Sequence, residues 1–247
     1  CIDTEGPLNE TLKSTFERIH DTFGVKINPS KSNLTKLQNQ KIKIGGIEKN
    51  ISNFVNKNNL NYITNLNLLK KMLNKILSKK FRKIIPDDFG NGWVYSWHCV
   101  DHIGFKKNPR KKIYGYGKIF RFYKKILKEK NCKNDEINWH FHPKSLTAHP
   151  TSNATSYNNS MRELVYVISR RIIEDDWFPV VNRPGFHATR PDSHLFLEQW
   201  IPYDYSNQFY EEENDQKDLD HGRFGDWSRS PRSWTGYNPS IHDYQIK

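Results

Sequence analysis

The sequence predicts an α/β fold with a largely parallel sheet. Two observations predict it. Short runs of apolar, β-branched or aromatic residues alternate with amphipathic helical stretches through most of the chain, the pattern of strand–helix–strand units. The residues with chemically active side chains fall at the ends of those strand runs, where such folds bind ligands. Composition agrees: aromatics make up 13% of 247 residues, too many for a disordered chain. That length suits one domain, or one domain with a large insertion.

The elements follow in order. Ile2 and its neighbours read as the end of an apolar strand running into the turn at Gly6-Pro7. Over 7–23, Leu8, Leu12, Phe16, Ile19 and Phe23 recur at helical spacing, and Gly24 is a stop. Residues 26–50 are polar with weak periodicity and read as a loop or irregular insertion. A lysine-backed stripe of Leu66, Leu69, Leu73, Ile76 and Leu77 makes 65–81 helical. Gly90 and Gly92 bracket a turn before a strand over 94–100. A basic, turn-rich loop leads to a helix over 119–127 and a strand over 137–141. The clearest helix spans 161–177, with Leu164, Val167, Ile168 and Ile172 inward and Met161 a further candidate. Strand 178–181 stops at Arg183-Pro184-Gly185, and a helical turn over 194–200 precedes a strand over 201–205.

Charge is uneven. Residues 41–133 carry 23 basic and 5 acidic side chains, whereas 134–247 carry 11 basic and 17 acidic. Such a basic middle suits nucleic acid, anionic glycan or a membrane surface. The joint excess of Lys, Asn and Ile is equally what an AT-rich genome yields on a solvated face. No zinc finger, aromatic RNA-binding motif or helix-turn-helix pattern supports nucleic acid as a partner. No apolar run is long enough to span a bilayer. Cys1, Cys99 and Cys132 form neither a disulfide framework nor a metal cluster. Nothing before Asp3 resembles a signal peptide; the chain is expected to lack its natural start, and a cytoplasmic location is favoured.

Four groups of residues carry candidate chemistry. Asp3 and Glu5 follow the first strand, where a turn can bring two carboxylates to one site. Their other role is to favour the positive end of the next helix. His140 and His142 flank one residue at a strand end, a way to present two imidazoles to one divalent ion, and His149 follows. This donor set does not single out zinc from iron, cobalt or nickel. Arg183 leaves a strand where it can orient a carboxylate. In the run from Trp97 to His102, alternation places His98, Val100 and His102 on one face, opposite Cys99 and Asp101. These four polar groups would be ligands, substrate contacts or a satisfied hydrogen-bond cluster. No nucleotide-binding, serine-hydrolase or zinc-protease signature occurs.

Taken in order, these pieces resemble the NodB-homology polysaccharide deacetylases. The stretch IDTEG stands where that family has paired acidic residues after its first strand. EINWHFHP is similar to the motif with two metal-binding histidines, and RPGFH to the one supplying an arginine. HLFLEQWIPYDYSNQ and WTGYNPS look like later family segments. Residues 25–92 have no counterpart and read as a Lys/Asn-rich helical insertion within a single catalytic domain, 1–247. The resemblance implies a distorted (β/α) barrel, incomplete here because the final histidine motif would lie past Lys247. The carboxylates are separated by Thr4 rather than adjacent, and the histidines are two apart rather than four.

The resemblance further implies metal-dependent N-deacetylation of a polysaccharide or sugar conjugate in cell-surface glycan biosynthesis or modification. His140, His142 and one of Asp3 and Glu5, with Glu5 assigned first, would hold a divalent metal, zinc first, and the other carboxylate would be the base. On that assignment Asp3 would be the general base and Arg183 its orienting partner. Trp97, His98, Asp101, His102, Trp139 and His187 would line the carbohydrate, with Trp234 a further aromatic; core packing is the other role expected for each tryptophan. His187 and His242 would be the substitutes for the missing acid. The competing expectations are a non-catalytic scaffold binding an anionic polymer, and a metal-dependent hydrolase of another C–N or C–O bond.

Overall fold

The structure is a computed structural model. It describes residues 1–9, 11–60, 63–103, 111–112, 114–142, 157–183 and 199–205, with positions 231, 236–238, 240, 242 and 246. In chain order the elements are β1 (Ile2–Thr4), β2 (Leu8–Asn9), α1 (Leu12–Phe23), α2 (Lys31–Gln38), α3 (Glu48–Phe54), α4 (Lys57–Leu60), α5 (Leu66–Ile76) and α6 (Lys79–Arg82). They continue with β3 (Ser96–Ile103), β4 (Lys111–Lys112), α7 (Tyr116–Glu129), β5 (Glu136–His142), α8 (Tyr157–Asp175), β6 (Val181–Asn182) and β7 (Tyr203–Asp204). The chain divides into two compact units. A sheet unit holds Cys1–Thr4, Ser96–Lys106 and Glu136–Lys247, and a helical unit holds Glu5–Tyr95 and Lys107–Asp135.

The α/β class and the parallel sheet are found. Five strands pair in the order β1-β3-β5-β6-β7, every pair parallel. The order runs one way without reversal, so these strands contain no point where the winding changes direction. Alternation sorts β3 and β5 into two faces. Trp97, Cys99, Trp139 and Phe141 lie on one face and are buried. There α8 covers the sheet, with Leu164 and Ile168 packing beside Trp139, Phe141 and Ile201. The other face carries Ser96, His98, Asn138, His140 and His142.

The inward stripe of α8 departs from expectation at one step. Ile172 is half exposed, and Arg171 takes the inward place. The cause is Asp101 on β3, which accepts a hydrogen bond from Arg171 Nε at 2.7 Å, while Asp175 accepts one from Nη1 at 2.8 Å. Asp101 itself is the left-over residue of a bulge. Val100 stands opposite His140, yet His102 stands opposite Phe141. The expected alternation through His98, Val100 and His102 therefore breaks at Asp101.

In the helical unit, residues 26–50 are a correction: α2 lies there and α3 begins there, at Glu48. Ser30 caps α2 by accepting from the Asn33 amide at 3.0 Å. Leu37, Ile51 and Val55 bury against Phe16 and Ile19 of α1. The expected helix over 7–23 begins at Leu12, capped by Thr11, and ends in a left-handed Gly24. The expected helix over 65–81 is split into α5 and α6, because Ser78 caps a new start. Behind α6, Arg82 donates to both oxygens of the buried Asp135 at 2.7 and 2.6 Å. Asp135 also accepts from the Tyr95 amide at 3.2 Å. No described helix is long and apolar enough to cross a membrane.

Candidate functional site

The candidate site lies on the polar face of the sheet unit. His140 and His142 project from the carboxyl end of β5, Arg183 directly follows β6, and Tyr205 directly follows β7. Asp3 stands on β1 opposite His98 of β3, which stands opposite Asn138 of β5. His98, Asn138 and His140 are all buried, whereas Asp3 and Tyr205 are exposed.

Arg183 ties these strands together. Its Nε donates to Asp3 Oδ1 at 2.7 Å and its Nη1 to the Tyr205 carbonyl at 3.0 Å. Its own carbonyl accepts from His140 Nδ1 at 2.6 Å. Asp3 and Arg183 belong to strands three places apart in the sheet, about 14 Å if the sheet were flat. An arginine Nε and an aspartate cannot span that distance. The His98 and Tyr205 rings, also three strands apart, lie 5.9 Å apart. The sheet is therefore strongly curled, with the polar face on the concave side.

The hydrogen bonds fix much of the proton placement. The Arg183 carbonyl only accepts, so His140 Nδ1 carries the hydrogen, and in the neutral form of the ring the lone pair sits at Nε2. That nitrogen lies 3.1 Å from His142 Nε2. Burial pushes the Asp3 carboxyl up. The opposing pull of His140 and Arg183, the Arg183 hydrogen bond and the pull of His98 outweigh it and hold Asp3 below the ordinary carboxylate value. Asp3 is thus a carboxylate near neutral pH.

His98 is different. Its Nε2 shares a 3.0 Å hydrogen bond with Ser96 Oγ, which accepts another from Asn138 Nδ2 at 2.9 Å. His98 Nδ1 and Asn138 Oδ1 are buried without a hydrogen bond among the described residues. Burial chiefly pushes the His98 imidazole down to about 3; Asp3 opposes the shift, and Arg183 and His140 add to it. An unfolded histidine titrates near 6.5, so between 6.5 and about 3 the unfolded chain holds the extra proton. Stability should fall as pH drops through that window, by up to about 1.4 kcal/mol per pH unit from this group. His98→Asn removes the titration and should flatten that part of the profile. Urea unfolding at stepped pH checks it; parallel profiles for the two proteins would exclude His98 as the source.

The expected site residues are therefore partly gathered. Asp3, His98, His140, His142 and Arg183 share one face. Glu5 lies beyond β1, in the helical unit. Trp97 and Trp139 are 0% exposed, and Trp139 stacks on Phe141 at 5.7 Å. They are core residues with no face for a sugar, which corrects the expectation for both. Asp101 also turns to the helix-covered side, where Arg171 engages it. His102 has only its backbone described, and His149, His187 and Trp234 lie outside the described residues. His242 is exposed. Ser96, Asn138 and Tyr205 join the site without having been singled out; stepping two residues back from His98 and from His140 reaches the first two.

Among the described residues, no group of three or more His, Cys, Asp and Glu side chains is arranged to hold a metal ion. Compared with family models, curated proteins and solved structures, the chain finds no match.

Proposed function

We propose that the chain is a metal-dependent hydrolase that removes the acetyl group from an N-acetylated sugar of a polysaccharide or sugar conjugate. The observation that carries this reading is the 3.1 Å separation of His140 Nε2 and His142 Nε2. Two imidazole nitrogens about 2.05 Å from one tetrahedral ion stand about 3.3 Å apart. The Arg183 carbonyl on His140 Nδ1 is the outer partner that a metal-ligating histidine needs, since it orients the ring and makes Nε2 more basic. These two histidines fit a divalent ion and would hold it, zinc being the first choice. When bound, such an ion polarises an acyl oxygen and acidifies water.

The chain's own residues supply the rest. Asp3, kept ionised and aimed by Arg183, accepts the proton of the attacking water. Neutral His98 holds the Ser96 and Asn138 side chains in place without adding charge beside Asp3. The one-way strand order and the curled sheet support a barrel of the NodB-homology type, in which a polar face becomes interior.

Metal analysis tests the reading. Wild type is expected to hold stoichiometric divalent metal after purification and reloading, and the His140→Ala/His142→Ala double variant to lose it. Equal metal content in both would overturn it. Acetate release from a panel of N-acetylated glycans by the metal-loaded protein tests the reaction; none above blank would count against deacetylation. A second reading has the two histidines sharing one proton as a metal-free acid–base pair, favoured by the lack of a third ligand among the described residues. Wild type free of metal yet active would decide for it.

A further inference from the structure

The division into units also divides the charge. The helical unit carries 27 basic and 9 acidic residues, a net of +18, whereas the sheet unit is net −6. On the basic unit, the loop after α6 shows large apolar side chains to solvent. Phe89 is 89% exposed and Ile84 66%, and Ile85, Trp93 and Val94 are exposed too. Scattered exposed apolar residues are ordinary; five within eleven positions are not.

This loop is held, not frayed. The Trp93 amide donates to the Arg82 carbonyl at 3.1 Å, and Arg82 Nη1 donates to the Trp93 carbonyl at 2.6 Å, so the two ends of the loop are closed on each other. Arg82 is in turn fixed by Asp135. Gly92 has φ +87°, and a Cβ there would run into the Arg82 carbonyl, so the closure needs glycine. At the tip, Asp87 Oδ1 accepts from the Phe89 and Asn91 amides at 3.1 and 2.6 Å. One of the two acidic side chains of the loop is thereby engaged in shaping it. Lys79, Lys80 and Lys83 stand exposed at its base. On the same unit, Arg121, Lys124, Lys125 and Lys128 form one exposed stripe of α7.

We propose that the helical unit attaches peripherally to an anionic lipid bilayer, with Ile84, Ile85 and Phe89 entering the headgroup boundary and the flanking lysines meeting acidic headgroups. Apolar insertion and basic attraction are the two signals that together give stable surface attachment. A solvated basic face explains the lysines but not the ordered apolar tip between them. This inference stands apart from the chemistry of the sheet unit.

Sedimentation of the full chain with vesicles tests it, using phosphatidylcholine alone and phosphatidylcholine containing phosphatidylserine. Wild type is expected to sediment with the anionic vesicles and to remain in solution with the neutral ones. Ile85→Ser/Phe89→Ser should lower the partition coefficient more than about tenfold, and Lys79→Glu/Lys83→Glu at least about fivefold per lysine. Both pairs are exposed, so thermal melting should match wild type. Failure of wild type to bind anionic vesicles overturns the proposal. So does wild-type binding by the apolar variant, which would reduce the surface to charge alone; binding of that variant to duplex DNA would then identify a nucleic-acid face.

Discussion

Replacing Arg171 by methionine is expected to destabilise the sheet unit by about 3–5 kcal/mol. Its side chain is 6% exposed, and those of its partners Asp101 and Asp175 are 1% and 4% exposed. Burial alone would lower the guanidinium pKa, but the hydrogen bonds and charges of Asp101 and Asp175 outweigh it and raise it. Removing the cation leaves two buried carboxylates without their common partner, in a place water does not reach. They must then stay buried without that charge or take up protons. Thermal denaturation followed by circular dichroism should show a drop of about 10 °C. The Arg171→Met/Asp101→Leu pair should recover part of it, since exchanging a buried ion pair for apolar packing is often near neutral. The neighbouring Arg170 is the control. It is exposed and bonds Glu174 at 2.6 Å within the same helix, so Arg170→Met should change stability little. Equal effects at 170 and 171 would contradict the assigned burial.

Under the proposed deacetylation, with Asp3 as general base, Asp3→Asn should lower acetate release about 10²–10⁴-fold, the usual worth of such a group, with melting kept near wild type. Arg183→Met tests how the base is held. Arg183 favours the ionised form of Asp3, so without it the Asp3 pKa rises. The acid limb of kcat/KM is therefore expected to move to higher pH. Arg183→Lys, which keeps a charge but loses the planar fork, should restore the limb in part and the rate less. The same pair acts on stability: its contribution is present above the ordinary carboxylate pKa and lost as pH falls through the lower folded value. An unmoved acid limb in Arg183→Met would separate Arg183 from the base and leave it a structural tie.

Local pattern carried most of the architecture. The alternation of Trp139, His140, Phe141 and His142 marks β5 and sends the two histidines to one side, as found. Leu164 and Ile168 mark the buried stripe of α8. The same alternation, applied to Trp97 and Trp139, sends both indoles away from the histidines, which decides for core packing over sugar stacking, the two roles expected for them. Four features had no local signal. The bulge at Asp101 is a slip in pairing with β5, which a period of two does not register. Arg171 faces inward because of a partner 70 residues away. The helices α2 and α3 are short and rich in Lys and Asn, so caps such as Ser30 and packing on α1 make them where periodicity is weak. The Asp3–Arg183 contact joins residues 180 apart; the resemblance implied that pairing, and the curl of the sheet makes it.

That curl bears on how the molecule assembles. β1 pairs with a strand some 95 positions later in the chain, and Arg183 reaches back to Asp3 across almost three-quarters of it. Loop closure over such spans precedes the contacts that reward it, so folding should be slow relative to a helical bundle of this size. During synthesis β1 emerges first yet has no partner until β3 follows, and the concave face closes only after β6 and β7 have left the ribosome. The helical unit, rich in near-neighbour contacts, has no such wait over residues 11–60, where α1, α2 and α3 build their own core. The polar face thus takes shape after the helical core of residues 11–60, once β6 and β7 have been made.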